Sequence, residues 1–330
     1  MALTPDGEIA GSVSGGCVEA AVVEAGLETL KTDRARLLHF GVADEAAWGI
    51  GLVCGGSIDI FVETLDPDFF QAQRSALVNE CRAVVIKVIR APGDMLGHKM
   101  LVRADGAVTG TLGAEWDQGA MDLAGKILLS NGTSRRVTLS ESIEVFVEII
   151  LPQPVLIAVG GVHIAIALAS LAQTLGYRTV VVDPRKSWGS AERFPHVDQL
   201  IQAWPDEAFR QIQITSSTAV AMLTHDPKLD DPALQIVLAS PAFYVGALGG
   251  RRTQDKRRQR LLGAGLAKAH LARLHAPIGL EIGAETPEEI ALAIMAEVVD
   301  AHRRQTAAAD ILSARQLRQS VGEKSLDRIF

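Results

Sequence analysis

Aromatic residues are scarce in this 330-residue chain, at 5%, and there are only three cysteines. Basic residues do not predominate: 32 Lys and Arg stand against 39 Asp and Glu, for a net charge of −7. That balance argues against a nucleic-acid partner, because phosphate binding needs a positive field. The basic cluster Arg251–Arg260 is a local exception. No apolar run reaches transmembrane length, so no membrane span is expected. The first residues, MALTPDGEIAG, include an early acidic residue and lack the apolar core of a secretion signal. Cys17, Cys54 and Cys81 show no CxxC spacing. A cytoplasmic setting with reduced thiols is expected, a Cys17–Cys54 bridge being the one pairing left open.

Glycine is plentiful, with 30 residues, and hydrophobic residues make up 48% of the chain. That length and composition suit two or three domains with sizeable cores and many tight turns, as in an α/β protein.

The chain repeats itself. Met1-Ala-Leu-Thr-Pro-Asp-Gly-Glu-Ile-Ala-Gly matches Met100-Leu-Val-Arg-Ala-Asp-Gly-Ala-Val-Thr-Gly, with Met, Asp-Gly and the final Gly in register. Ile58-Asp-Ile-Phe-Val-Glu matches Ile143-Glu-Val-Phe-Val-Glu. Each copy is expected to hold a hairpin with an Asp-Gly turn, a helix and a closing apolar strand. The second copy also has a strand before Met100, Ala83-Val-Val-Ile-Lys-Val-Ile, whereas the first begins at the equivalent Met1. The natural start is therefore expected further upstream, and the first copy is expected to be a strand short with an exposed sheet edge. Cys17 aligns with Trp116, and Cys54-Gly55-Gly56 has no counterpart, so the first copy is expected to carry the chemistry and the second to act as scaffold.

After Pro152-Gln-Pro154 the pattern changes. Val155-Leu-Ile-Ala-Val reads as a buried strand, Gly160-Gly161-Val162-His163 as a turn, Ile164–Leu175 as a helix ending at Gly176, and Arg178–Asp183 as a second strand. This β-α-β unit ends in an acidic residue about where a Rossmann fold places one near a ribose hydroxyl. The glycine pattern departs from G-x-G-x-x-G, with Val162 and Ala165 at the second and third glycine positions. Ala219–Leu223 and Phe243–Leu248 read as further strands, Asp231–Leu238 as a helix, and Thr286-Pro-Glu-Glu289 as a capping box opening a helix over Glu288–His302. Ligands of open α/β sheets collect at the carboxyl ends of strands. Asp183, Arg185, His225, Asp226, Gly249, Gly250, Arg251 and Arg252 map to such ends.

The expected class is α/β: a C-terminal Rossmann-like parallel sheet with helices on both faces, plus a smaller N-terminal α+β domain built from the repeat. The boundaries are 1–150 (repeat halves 1–66, truncated, and 80–150), 151–303, and a tail over 304–330.

SGGCVE at 14–19, CGG at 54–56, GGVH at 160–163, VVDPR at 181–185, RFP at 193–195, LTHD at 223–226, YVGALGGRRT at 244–253 and PIGL at 277–280 follow one another in this order. The ordered set resembles the XdhC/CoxI family, accessory proteins of molybdenum hydroxylases. The resemblance covers residues 1 to about 303. It implies a chaperone-like maturation factor, more an accessory protein than an enzyme. Such a protein would hold molybdenum cofactor (molybdopterin) during sulfuration and promote its insertion into an apoenzyme related to xanthine or CO dehydrogenase. A cysteine desulfurase as sulfur donor and a homodimer are implied with it. The usual Gly-Ser-Arg-Arg of the family reads Gly249-Gly250-Arg251-Arg252 here, which removes a hydroxyl from the phosphate-facing turn.

On this reading the cofactor-binding residues are Ser14, Gly15, Gly16, Cys17, Cys54, Gly55, Gly56, Gly160, Gly161, His163, Asp183, Arg185, His225, Asp226, Gly249, Gly250, Arg251 and Arg252. Cys17 and Cys54 would be soft thiolates near the molybdenum, though small cysteines also fill tight turns. Cys81 reads as core. His163 contacts a ligand or caps its own loop. Asp183 contacts a ribose or pterin amine, or caps the β-α loop. His225 and Asp226 face the cleft or form a strand-end turn. Lys256, Arg257, Arg258 and Arg260 read as a solvated helix face. Two other functions compete. An NAD(P)-dependent oxidoreductase is weakened by the imperfect glycine motif and the lack of an acid/base pair for hydride transfer; the other is a cofactor-free bridging protein.

Overall fold

The computed structural model describes residues 1–14, 16, 18–41, 56–129 and 133–320, with side chains to residue 305. The chain forms two compact units, one over Met1–Leu151 and one over Pro152–Ala308.

The first unit is built twice from the same parts. In its first half, β1 (Ala2–Leu3) and β2 (Ile9–Ala10) form a hairpin, α1 spans Glu19–Thr32, and β3 (Arg36–Phe40) pairs antiparallel with β4 (Ile58–Val62). After α2 (Pro67–Val78), the second half has β5 (Ala83–Arg90), β6 (Lys99–Arg103), β7 (Val108–Thr111), α3 (Asp117–Leu129), β8 (Arg135–Ser140) and β9 (Ile143–Ile150). Registers agree between the halves. The pair Ala2↔Ala10 stands where Leu101↔Thr109 stands, and Arg36↔Val62 where Arg135↔Val147 stands. Both Asp-Gly turns place glycine at positive φ, 85° at Gly7 and 88° at Gly106, as a tight hairpin demands.

In the second half the strands form one antiparallel sheet in the order β7-β6-β5-β9-β8. Its central strand explains its own composition. Val84, Ile86 and Val88 face α3, against Ala120, Leu123, Ala124 and Ile127. Val85 packs on the other face with Phe69 and Ala76 of α2. A strand covered on both faces needs apolar residues at nearly every position. Among the described residues of the first half, β1–β2 and β3–β4 are two separate two-stranded sheets, and the buried cluster reduces to Val18, Val22 and Ile60.

The second unit is a six-stranded, all-parallel sheet. Its strands are β10 (Val155–Val159), β11 (Arg178–Val182), β12 (Gln199–Ile201), β13 (Thr218–Met222), β14 (Tyr244–Ala247) and β15 (Leu274–His275), in the order β12-β11-β10-β13-β14-β15. Its helices are α4 (His163–Thr174), α5 (Pro205–Gln211), α6 (Pro227–Ala239), α7 (Arg251–Gly263), α8 (Lys268–Leu271) and α9 (Pro287–Ser320), the last belonging to this unit as far as Ala308. One face of the sheet packs on α5, α6, α7 and α8, through Phe209, Leu234, Leu261 and Leu271. The other packs on α4 and α9, through Leu168, Ile294 and Val298. Every residue of β10 and β13 is buried, the pattern of strands sandwiched between two helical layers. The chain leaves β10 toward β11 on one side and returns to β13 on the other, so strand order reverses between β10 and β13.

The capping box opens α9 as its residues require: the Glu289 amide donates to Thr286 Oγ1 at 3.2 Å, and the Thr286 amide donates to Glu289 Oε2 at 3.1 Å. The helix continues past His302 to Ser320, so no element ends at 303. No described helix is long and apolar enough to cross a membrane.

Candidate functional site

The reversal between β10 and β13 marks, at the carboxyl edge of the parallel sheet, the position where such sheets usually bind ligands. Two turns there depend on glycine. Gly160 has φ 109°, and a Cβ on it would lie 2.4 Å from Thr224 Cγ2 at the end of β13. A Cβ on Gly161 would lie 2.4 Å from the Trp188 carbonyl oxygen. These glycines let the turns after β10, β11 and β13 close on one another. Gly249, after β14, has φ 129°.

The helices that follow are not alike. Val162 and Gly250 precede α4 and α7, and neither helix has a side-chain cap. Orphan amides in a helix's first turn suit an anion. His163 is exposed, with Nε2 3.7 Å from Glu288 Oε1. Arg251 is 88% exposed and only 3.8 Å-paired with the equally exposed Glu281. Arg252 is exposed beside it. In contrast, α6 is capped: Asp226 Oδ1 accepts the Lys228 amide at 2.9 Å. Asp226 therefore spends one oxygen on its own helix, as expected of a strand-end turn, and its side chain is otherwise exposed. His225 is exposed next to it.

Asp183 takes the second of its two expected roles, that of holding its own loop. Its side chain is fully buried. Oδ2 accepts the Gly161 amide at 2.7 Å and Arg185 NH2 at 2.7 Å; Oδ1 accepts the Arg185 amide and Nε, both at 2.9 Å. Burial alone would raise the carboxyl, but the hydrogen bonds from Arg185 and the two amides outweigh it and hold it below the usual carboxylate value. Saturated in this way, Asp183 has nothing left for a ribose or a pterin amine; it locks the β10–α4 turn to the loop after β11. Arg185 gives two of its nitrogens to that lock and remains 40% exposed.

Several neighbours are given no site role by sequence. The Trp188 ring lies 4.9 Å from the Arg185 guanidinium and 5.4 Å from that of Arg193. Arg193 donates to the Gly161 carbonyl at 3.1 Å. Arg257, read as part of a solvated face, is 1% exposed and pairs with Asp230 at 2.6 Å. Its partner lies 27 residues away, so no local pattern signals it. Lys256 and Arg258 are exposed as read, and Arg260 is exposed but paired with Asp231.

In the first unit, Gly15, Cys17, Cys54 and Gly55 lie outside the described residues; Ser14, Gly16 and Gly56 are described. The donors around Ser14 and Gly16 are already engaged. Glu19, the first residue of α1, accepts the Ser14 amide at 2.9 Å, the Gly16 amide at 2.9 Å, the Val18 amide at 3.2 Å and the Ser12 hydroxyl at 2.7 Å. Asp117, at the start of α3, does the same in the other copy. It accepts the Leu112 amide and the Thr111 hydroxyl, both at 2.7 Å. A carboxylate fastening the hairpin-to-helix loop is thus shared by both copies, and it takes Ser14 and Gly16 out of the free donor set. The Ser12 hydroxyl and then the Ser14 amide hold the Glu19 carboxyl far below its ordinary value. Followed by NMR, the Ser14 and Gly16 amide shifts should therefore titrate well below the usual glutamate range, and Glu19→Gln should abolish that titration. Cys81 is half-buried, its Sγ 3.5 Å from the Arg82 carbonyl oxygen.

An all-parallel doubly wound sheet with glycine turns at its reversal point defines a Rossmann-type unit. Residues 156–298 match the XdhC Rossmann domain, and residues 1–41 match the XdhC and CoxI family. The two stretches make up more than half of the chain, and the chain belongs to the XdhC and CoxI family. Among its relatives, a probable xanthine dehydrogenase subunit of Bacillus subtilis is 26% identical over 309 residues, 92% of this chain and 88% of the relative. The molybdenum cofactor insertion chaperone PaoD of Escherichia coli is 29% identical over 306 residues, 92% of this chain and 78% of the relative. The crystal structure of a xanthine dehydrogenase from Bacillus halodurans shares the fold, with a TM-score of 0.73 at 24% identity over 92% of this chain and 85% of that one.

Proposed function

We propose that this protein carries molybdenum cofactor and delivers it to a molybdenum hydroxylase. The observation that carries the reading is the similarity to the insertion chaperone PaoD along nearly the whole chain. The local geometry supports it. The cofactor ends in a phosphate, and the second unit offers uncapped turns at Gly160–His163 and Gly249–Arg252 with two exposed guanidiniums at the latter. The Gly249 and Gly250 amides and Arg251 and Arg252 would hold the phosphate; His163 and His225 stand at the reversal between β10 and β13. When bound, the group supplies a dithiolene-held molybdenum whose redox chemistry belongs to the recipient enzyme. This chain's part is to bind, orient and release. A dinucleotide reading fits less well, because Asp183 is consumed within its loop and leaves no free carboxylate for a ribose.

Cys17, next to Gly15 and Gly16 in the sequence, and Cys54, next to Gly55 and Gly56, are proposed from sequence as thiolates near the molybdenum. Sulfuration by a cysteine desulfurase while the cofactor is held, and a homodimeric carrier, belong to the same proposal. If Cys54→Ser keeps full cofactor affinity and full activation of a recipient apoenzyme, that role for Cys54 is wrong. The phosphate placement has its own test. Arg251→Ala with Arg252→Ala should weaken molybdopterin binding about tenfold or more, since charge-assisted hydrogen bonds contribute roughly 1.5–3 kcal/mol. The unfolding temperature should stay unchanged, because both side chains are exposed. Equal binding by the double variant and the parent protein would place the phosphate elsewhere.

A further inference from the structure

Beneath the Gly249–Arg252 turn lies a polar network that is almost wholly shut off from water. Thr224 is 4% exposed, Asp230 1%, Gln254 3% and Arg257 1%. Asp230 accepts the Thr224 hydroxyl on Oδ1 and Arg257 NH2 on Oδ2 at 2.6 Å. Arg257 NH1 donates to the Leu248 carbonyl at 3.1 Å and to Gln254 Oε1 at 2.6 Å. Gln254 Nε2 donates in turn to the carbonyls of Ala247 at 3.0 Å and Gly249 at 2.8 Å. Three consecutive carbonyls at the end of β14 are thus drawn inward by one ion pair and one amide.

An internal ion pair is a poor way to gain stability, since apolar residues of like volume do as well or better. Its value lies in what it orients. A trans peptide points its C=O and its N–H in opposite directions. With the Leu248 and Gly249 carbonyls held toward Arg257 and Gln254, the following amides, of Gly249 and Gly250, face away from the network. Neither amide has a hydrogen-bond partner among the described residues. The same network reaches the next turn, because the methyl of Thr224 is the group that closes on Gly160.

We infer that Asp230 and Arg257 are positioning residues: they preset the β14–α7 turn so that its amides stand ready for the anionic end of the cofactor. This rests on the reading of that turn as the phosphate contact, and the test separates the two. Asp230→Leu with Arg257→Met replaces the pair by apolar side chains and should leave a folded protein. Arg257→Lys keeps the charge and the packing but loses the fork that spans Asp230, Gln254 and Leu248. Hydrogen exchange would be followed at the amides of Leu248, Thr253 and Gln254, which bond to Met222 and Gly250 carbonyls, with Ile157 of β10 as reference. Exchange at the three should rise tenfold or more in both variants while Ile157 is unchanged, and molybdopterin affinity should fall at least fivefold. Unchanged exchange at the three amides in Arg257→Lys overturns the positioning role, whether or not the double variant folds. Faster exchange with undiminished molybdopterin affinity keeps the positioning role and overturns the phosphate contact.

Discussion

Replacing Asp183 by alanine should cost the Pro152–Ala308 unit about 3 kcal/mol, at the low end for breaking a buried ion pair because Arg185 keeps partial contact with water. For a unit of this size that corresponds to a fall of roughly 6–12 °C in unfolding temperature. The substitution leaves the Gly161 amide without its acceptor and frees a guanidinium that two carboxylate oxygens now hold. Asp183→Asn should lose less, because its remaining carbonyl can still accept from Gly161. The two proteins should also differ in pH dependence. The folded carboxyl sits below its ordinary value, so its contribution is complete above the unfolded pKa of about 3.9 and is lost as pH falls through the lower folded value. Thermal unfolding from pH 7 to pH 3 should show the gap between wild type and Asp183→Asn holding down to about pH 4 and closing below it. A gap that stayed constant to pH 3 would mean the carboxylate is not ion-paired in the folded state.

Gly161→Ala should be almost as damaging, by a different route. Its Cβ would press within 2.4 Å of the Trp188 carbonyl oxygen and 2.8 Å of the carbonyl carbon. Both are backbone atoms, so no side-chain rotation relieves the clash. Moving the loop strains the Asp183 hydrogen bond to Gly161 and the Arg193 hydrogen bond to the Gly161 carbonyl. Overpacking of this kind costs about 1–3 kcal/mol, and the turns after β10 and β13 should lose their shape, with molybdopterin binding reduced at least tenfold. Gly250→Ala is the contrast: nothing lies within 4 Å of its Cβ, and its φ of −68° suits any residue. Its unfolding temperature should match the parent's. Calorimetry on the two variants checks the pair, and equal unfolding temperatures would refute the close approach at Gly161.

Much of the architecture is legible in the sequence because it rests on local pattern. The Asp-Gly turns, the continuous apolar run of β5, the β10-α4-β11 unit and the capping box of α9 each carry a short-range signature. Strands β3 and β8 escape such a reading because Arg36-Leu-Leu-His-Phe and Arg135-Arg-Val-Thr-Leu-Ser are half-buried and lack clean alternation. Strands β12 and β15, of three and two residues, are too short to show a period. The site is legible as positions rather than as roles. Strand-end residues gather where the topology requires, yet Asp183 and Asp226 are fastened to backbone amides. Such roles depend on hydrogen-bond partners that only the fold brings near. Arg257 shows the same limit in reverse: a run of arginines reads as surface, and one of them is drawn inside by a distant aspartate.

Cofactor binding tests the central claim most directly. The protein would be purified without oxygen, mixed with molybdenum cofactor, and passed through gel filtration, with pterin and molybdenum measured in the protein peak. Near-stoichiometric pterin and molybdenum in that peak, sharply reduced for Arg251→Ala with Arg252→Ala, is the predicted result. A peak free of both would contradict the carrier reading.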